Sequence, residues 1–206
     1  MTCLVAMTSR PARSSILAGL ANHSTVRCLM SHPEAWLIGR VEGFPDALMP
    51  VVHSLLQARL ELIALRDATS TTDCLATPGG VASVGFHIAH IAGSLDRLFT
   101  YARDESLSPD QLNYLDGETE IARDLSKDAL LDSTLHRIDV CLNTLRDVPD
   151  NLLLEPRRVG RERLPSNVIG LLFHAAEHTA MHVGQIRTTL KVIRSLGSAA
   201  SILGRV

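Results

Sequence analysis

Three histidines stand four residues apart in the stretch from His174 to Gln185: His174, His178 and His182. On an α-helix, a step of four advances the chain by about 6 Å and turns it roughly 40° past a full turn. Neighbouring members therefore project from one face and can share a metal ion, as paired histidines of helical zinc motifs do. The outer two are about 12 Å apart along the axis, too far for one ion. Either His174/His178 or His178/His182 forms the pair, and a further ligand must come from elsewhere. His87 and His90 stand three apart in an earlier helical segment. Side chains from facing helices of a bundle can converge on one ion. Three protein imidazoles with an open position describe a catalytic type of zinc site, and imidazole also suits nickel, copper and iron. A lone core histidine is more often a hydrogen-bonded packing residue. Five on two helices tip the balance toward a metal, because unpartnered imidazole nitrogens are costly to bury.

Other chemistries lack their residues. There is no His-Glu-x-x-His for a zincin, no Gly-x-Ser-x-Gly elbow and no phosphate loop with a lysine. A di-iron carboxylate bundle wants Glu-x-x-His on two helices, and helices two and four have none. Cys3, Cys28, Cys74 and Cys141 are far apart. They read as buried or incidental thiols in a reducing, cytoplasmic setting, and Cys74 and Cys141 as inert rather than nucleophilic. With a formal net charge of -2 and 3% aromatics, neither a basic nucleic-acid footprint nor a stacking platform is expected. No apolar run is read as long enough for a membrane span.

The elements that must position these residues follow from hydrophobic spacing. Residues 1–32 are expected to form a poorly structured N-terminal extension; their Arg- and Ser-rich, acid-free composition also resembles an organelle transit peptide. The globular domain is expected over 33–206. Four amphipathic helices are predicted: about Ala47 to Arg66, Val84 to Ala102 with Ser83 as N-cap, Ser126 to Leu145 with Ser126 as N-cap, and Asn167 to about Ser195. Ser108-Pro109-Asp110 marks a loop or a short helical start. The charged stretch from Val148 to Leu164 reads as a polar hairpin or a solvated loop, and the tail from Gly197 is expected to fray. Asp96 and Arg97 fall on the flank of the second helix. Arg97 reads as an exposed charge, with attraction of an anionic substrate group as the functional alternative. The fold class is all-α, an up-down four-helix bundle.

Two stretches, Val81 to Tyr101 and His174 to Gln185, resemble the DinB-like (YfiT-like) metal-binding four-helix bundles. Pro33-Glu-Ala-Trp-Leu37 and Pro78-Gly79-Gly80 fit one branch of that family. The resemblance covers about residues 33–195. It implies one histidine from the second helix and two, four apart, from the fourth, the last followed closely by Gly-Gln. By that pattern His90, His178 and His182 would hold a divalent ion, zinc or nickel. His87 and His174 would support them from behind, as would His53, and Gln185 or Glu177 would accept from a ligand's other nitrogen. Glu177 as a base is disfavoured by spacing, since one residue before His178 lies about 100° off the ligand face. The resemblance also implies pairing into a homodimer. Family members move a low-molecular-weight thiol onto an electrophile or isomerise with one. The expected function is thus a metal-dependent thiol transferase or hydrolase acting on a small molecule, or else a non-catalytic metal-binding protein for stress or storage.

Overall fold

The computed structural model describes residues 34–203; the expectation for residues 1–32 lies outside them. Four long helices carry the fold: α1 (Met49–Ala68), α3 (Val84–Ala102), α6 (Lys127–Arg146) and α7 (Val168–Leu203). Between them lie the short helices α2 (Thr71–Leu75), α4 (Pro109–Asp116) and α5 (Glu118–Asp124), and one antiparallel hairpin, β1 (Pro156–Val159) with β2 (Leu164–Asn167). The fold is all-α apart from that hairpin.

The serine caps form as the sequence predicts. Phe86 N donates to Ser83 Oγ (3.1 Å) and Ala129 N to Ser126 Oγ (3.2 Å), each satisfying an orphan donor in the first turn. The last helix departs from expectation at both ends. Leu164 to Asn167 form β2, and Asn167 caps the helix rather than opening it as a helical residue, accepting from Gly170 N at 2.7 Å. At the other end the helix continues past Ser195 to Leu203, in a stretch where Ala199 and Ala200 are strong helix formers.

Contacts between the long helices fix their directions. Ser54 donates to the Ala176 carbonyl and Glu61 pairs with Arg187, so α1 and α7 run parallel. Arg59 pairs with Asp139 and Arg66 with Asp132, so α1 and α6 are antiparallel. Thr134 donates to the Ile88 carbonyl and Arg137 pairs with Asp96, which makes α3 and α6 parallel. His87 meets His182 while His90 meets His178, which makes α3 and α7 antiparallel. The order is up, down, down, up. The helices that touch extensively are α3 with α7 and α6, and α1 with α7 and α6, so the chain crosses diagonally from α1 to α3 and again from α6 to α7.

Because α3 and α6 are parallel neighbours, the chain leaving α3 must travel back about 28 Å, the length of nineteen helical residues, before α6 can begin. Helices α4 and α5 are that return leg. Gln111 bonds Asp96 and Thr100, and Tyr114 donates to the Ala89 carbonyl (3.1 Å). Farther on, Glu118 meets His90, and the Ala122 carbonyl approaches Gly85. The two helices stand where Ser108-Pro109-Asp110 alone suggests a loop or a short helical start.

The core is aliphatic and runs the length of the bundle, with Leu55, Leu62, Ile91, Leu95, Leu131, Ile138, Leu172 and Ile186 fully buried. By length and composition alone, and against the expectation that no segment is, Asp46–Ala68 would be long and apolar enough to cross a membrane. In the bundle it is a wall of the core, burying Val51, Val52, Leu55, Ala58 and Leu62 and pairing Arg59 with Asp139. Leu95 lies fully buried on α3, the helix that touches both α6 and α7. Leu95→Ala should cost about 2–5 kcal/mol of unfolding free energy through the cavity it leaves, read as a lower midpoint in urea with the slope unchanged.

Candidate metal centre

The antiparallel crossing of α3 and α7 sets His87 and His90 against His178 and His182. His90 Nε2 lies 2.9 Å from His178 Nε2, and His178 Nε2 lies 3.2 Å from His182 Nε2. Each of these three histidines offers a ring nitrogen, and the three atoms lie within 4.8 Å of one another. Nitrogens bound 2.0–2.1 Å from a tetrahedral zinc stand roughly 3.3 Å apart, so the spacing is near that of a coordination shell.

The outer nitrogens decide what the inner ones can do. His90 Nδ1 donates to Glu118 Oε2 at 2.6 Å, which leaves its Nε2 with a bare lone pair. His182 Nδ1 lies 3.0 Å from His87 Nδ1, and donation to His87 leaves His182 Nε2 bare as well. Two lone pairs then point toward His178 Nε2. A single imidazole proton can satisfy one of them; a cation satisfies all three nitrogens. The donor set therefore fits a divalent ion.

Burial favours the neutral form of His87, His178 and His182. The pKa of His182 is pushed down to about 3, first by burial and then by the neighbouring histidines, with a hydrogen bond to Gln185 acting the other way. His178 is lowered by burial, then by His90 and His174. His87 is lowered by burial and then by His90. Phe86 stacks on His90 with ring centroids 5.5 Å apart and meets His87 edge-on, an apolar lid on one side. His90 and His178 remain partly exposed while His182 is buried, so the centre opens to one side.

The other expected residues fall into distinct places. His87 is buried and touches His182. Gln185 lies close enough to His182 to oppose the lowering of its pKa. His174 is exposed, its ring 5.3 Å from that of His178, and its Nδ1 bonds Glu177 at 3.2 Å. Glu177 is likewise exposed and occupied by His174. His53 does not stand behind the ligands as expected: its Nε2 bonds the Gly39 carbonyl at 2.8 Å. It lines a groove with Ala180 and Gly184, which lie on the side of α7 opposite His178 and His182. Cys74 and Cys141 are buried, and burial drives their thiols up to about 11 and about 12, so neither is a nucleophile at neutral pH.

Arg97 is buried, against the exposed charge that its flank position suggests. It is 8% exposed, and its Nη2 stands 2.9 Å from Glu118 Oε1. Residues 90, 93 and 97 share one face of α3 at steps of three and four. Gly93 makes the room: a Cβ there would lie 2.6 Å from both Arg97 Nη1 and Glu118 Oε1, and 2.7 Å from Tyr114 Cε1. Glu118 is the functional residue that sequence reasoning missed. It opens a seven-residue helix and follows a glycine, outside any amphipathic stripe. The one signal for it in the chain is indirect, a glycine between a histidine and an arginine on a single helix face.

Two clefts of about 510 Å³ lie elsewhere on the bundle. One runs between α1 and α7 and includes Trp36; the other lies between α3, α4 and α6, with Arg97 and Tyr114 in its wall. Neither is lined by His90, His178 or His182.

The family model for the DinB superfamily matches residues 54–186, a span that contains all three histidines and Glu118. No curated protein matches the chain.

The lowered pKa values set a pH dependence in the metal-free protein. Unfolded imidazoles take up protons near their ordinary value of 6.5, whereas in the fold His182 resists until about 3. Between these limits the unfolded chain binds more protons, so stability is full above about pH 6.5 and falls as the pH drops. Chelator-treated protein should lose stability between pH 6.5 and 5 by on the order of 1 kcal/mol per pH unit. His182→Gln should flatten that slope in pH-dependent thermal melts.

Proposed function

The chain belongs to the DinB superfamily, and on that premise we propose that it binds one divalent ion, zinc or nickel, through His90, His178 and His182. With that ion it would transfer a small thiol to an electrophile or hydrolyse a small molecule. The observation that carries this reading is the convergence of the three Nε2 atoms. Two of the rings are fixed from behind, by Glu118 and by His87.

An ion held there would supply Lewis acidity, lowering the pKa of a thiol or water at its open position. The chain's own residues supply the rest. Burial holds His178 and His182 neutral, so no proton has to leave them at neutral pH before they ligate. Phe86 covers the stacked face of His90 and excludes water there. The partly exposed edges of His90 and His178 leave an approach for a substrate. A cytoplasmic setting and pairing of two copies belong to the same proposal, the first from cysteine usage and the second from the family resemblance.

The alternative reading is metal binding without catalysis, in which the two clefts, neither lined by the three histidines, play no part in the centre. Tag-free protein purified without chelator should carry close to one divalent ion per chain by elemental analysis, and His178→Ala or His182→Ala should remove it. An empty wild-type protein whose zinc titration those substitutions leave unchanged would sink the metal assignment. Turnover of a thiol with an electrophilic acceptor, lost on chelation and restored by metal, separates the transferase from the binder. Tight metal binding with no turnover across a panel of such pairs favours the binder.

A further inference from the structure

We infer that Glu118 is a positioning residue of the metal centre, setting the tautomer and donor strength of His90, with Arg97 and Gly93 as the device that holds it there. The inference rests on the proposed metal reading and goes beyond it in assigning work to a carboxylate that touches no ion.

Glu118 is 4% exposed. A carboxylate buried that deeply is costly unless it is paired and hydrogen-bonded. Its two oxygens are used unequally. Oε1 faces Arg97 Nη2 at 2.9 Å yet makes no aligned hydrogen bond, so that contact is an ion pair only. Oε2 takes the 2.6 Å bond from His90 Nδ1. Were Glu118 there only to neutralise Arg97, the better-aligned bond would be expected on the guanidinium, whose fork matches a carboxylate. It lies on the imidazole instead.

Three consequences follow for His90. A carboxylate oxygen only accepts, so the proton sits on Nδ1 and Nε2 is committed as a donor atom toward the other two histidines. The ring is held against rotation between Glu118 and the stacked Phe86. The negative charge behind the ring strengthens electron donation from Nε2 to a bound cation, the usual effect of a carboxylate behind a metal-bound histidine. Arg97 limits that effect by sharing the charge, and Gly93 lets the pair lie directly against α3, where any side chain would collide with it.

The test uses the full chain. In competition titrations with zinc, Glu118→Gln should bind 10–100-fold more weakly than wild type while far-ultraviolet helicity stays unchanged. Glu120→Gln removes an exposed charge from the same helix and should leave the affinity where it was. A reading that needs no variant comes from ¹⁵N resonances of the metal-free wild-type imidazoles, in which His90 should be protonated on Nδ1. If His90 carries its proton on Nε2, or if Glu118→Gln binds zinc as tightly as wild type, the positioning role is overturned and the metal assignment stands. If wild type binds no zinc, both are overturned together.

Discussion

Three imidazole nitrogens held within a few ångström of one another in a half-buried setting are the constraint around which the bundle is arranged. Bare lone pairs repel, and desolvation removes the water that would separate them. The arrangement persists because two of the rings are held from outside their shared centre and the third is flanked. Glu118 takes the far nitrogen of His90, His87 that of His182, and His174 flanks His178. The cost of crowding is met by the packing of α3 against α7, with aliphatic residues such as Ile91 and Ile186 buried on those helices. The imidazoles form a polar inclusion in an otherwise oily interface.

The up-down-down-up order matters to that inclusion more than its arithmetic implies. In a bundle whose consecutive helices are all antiparallel neighbours, short turns suffice and little chain is spare. Here two parallel neighbours, α3 and α6, oblige the chain to run back along α3. The return leg lays Gln111, Tyr114 and Glu118 in sequence against the outer side of the helix that carries His90. A topological obligation thus supplies the polar backing of a site whose inner face belongs to two other helices. The buried Arg97 fits the same layout: it sits where the return leg covers α3, so a charge that periodicity places on a flank ends up enclosed.

Much of this was legible beforehand, and the exceptions share a cause. The ladder of histidines on the last helix, the paired histidines on the second and the serine caps all rest on local spacing, which the chain records directly. The choice of His178 and His182 over His174 and His178 came from resemblance, because spacing left it open; the exposed ring of His174 and its bond to Glu177 are the physical counterpart. Glu118, Arg97 and His53 were misplaced or unseen because their partners lie 28, 21 and 14 residues away across turns whose paths no local pattern specifies. The capping asparagine ahead of α7 was mistaken for a helical residue because a two-stranded hairpin too short to show alternation runs directly into it.

The return leg also bears on the order in which the centre can assemble as the chain folds. His90 and Glu118 are 28 residues apart, whereas His90 and His178 are 88 apart. Closing the longer loop costs about 1 kcal/mol more in chain entropy, and contacts near in sequence form sooner than distant ones. By loop entropy alone, His90 gains its Glu118 partner at lower cost than its partners on α7, so one ligand can be oriented by its own neighbourhood independently of the helix that bears the other two.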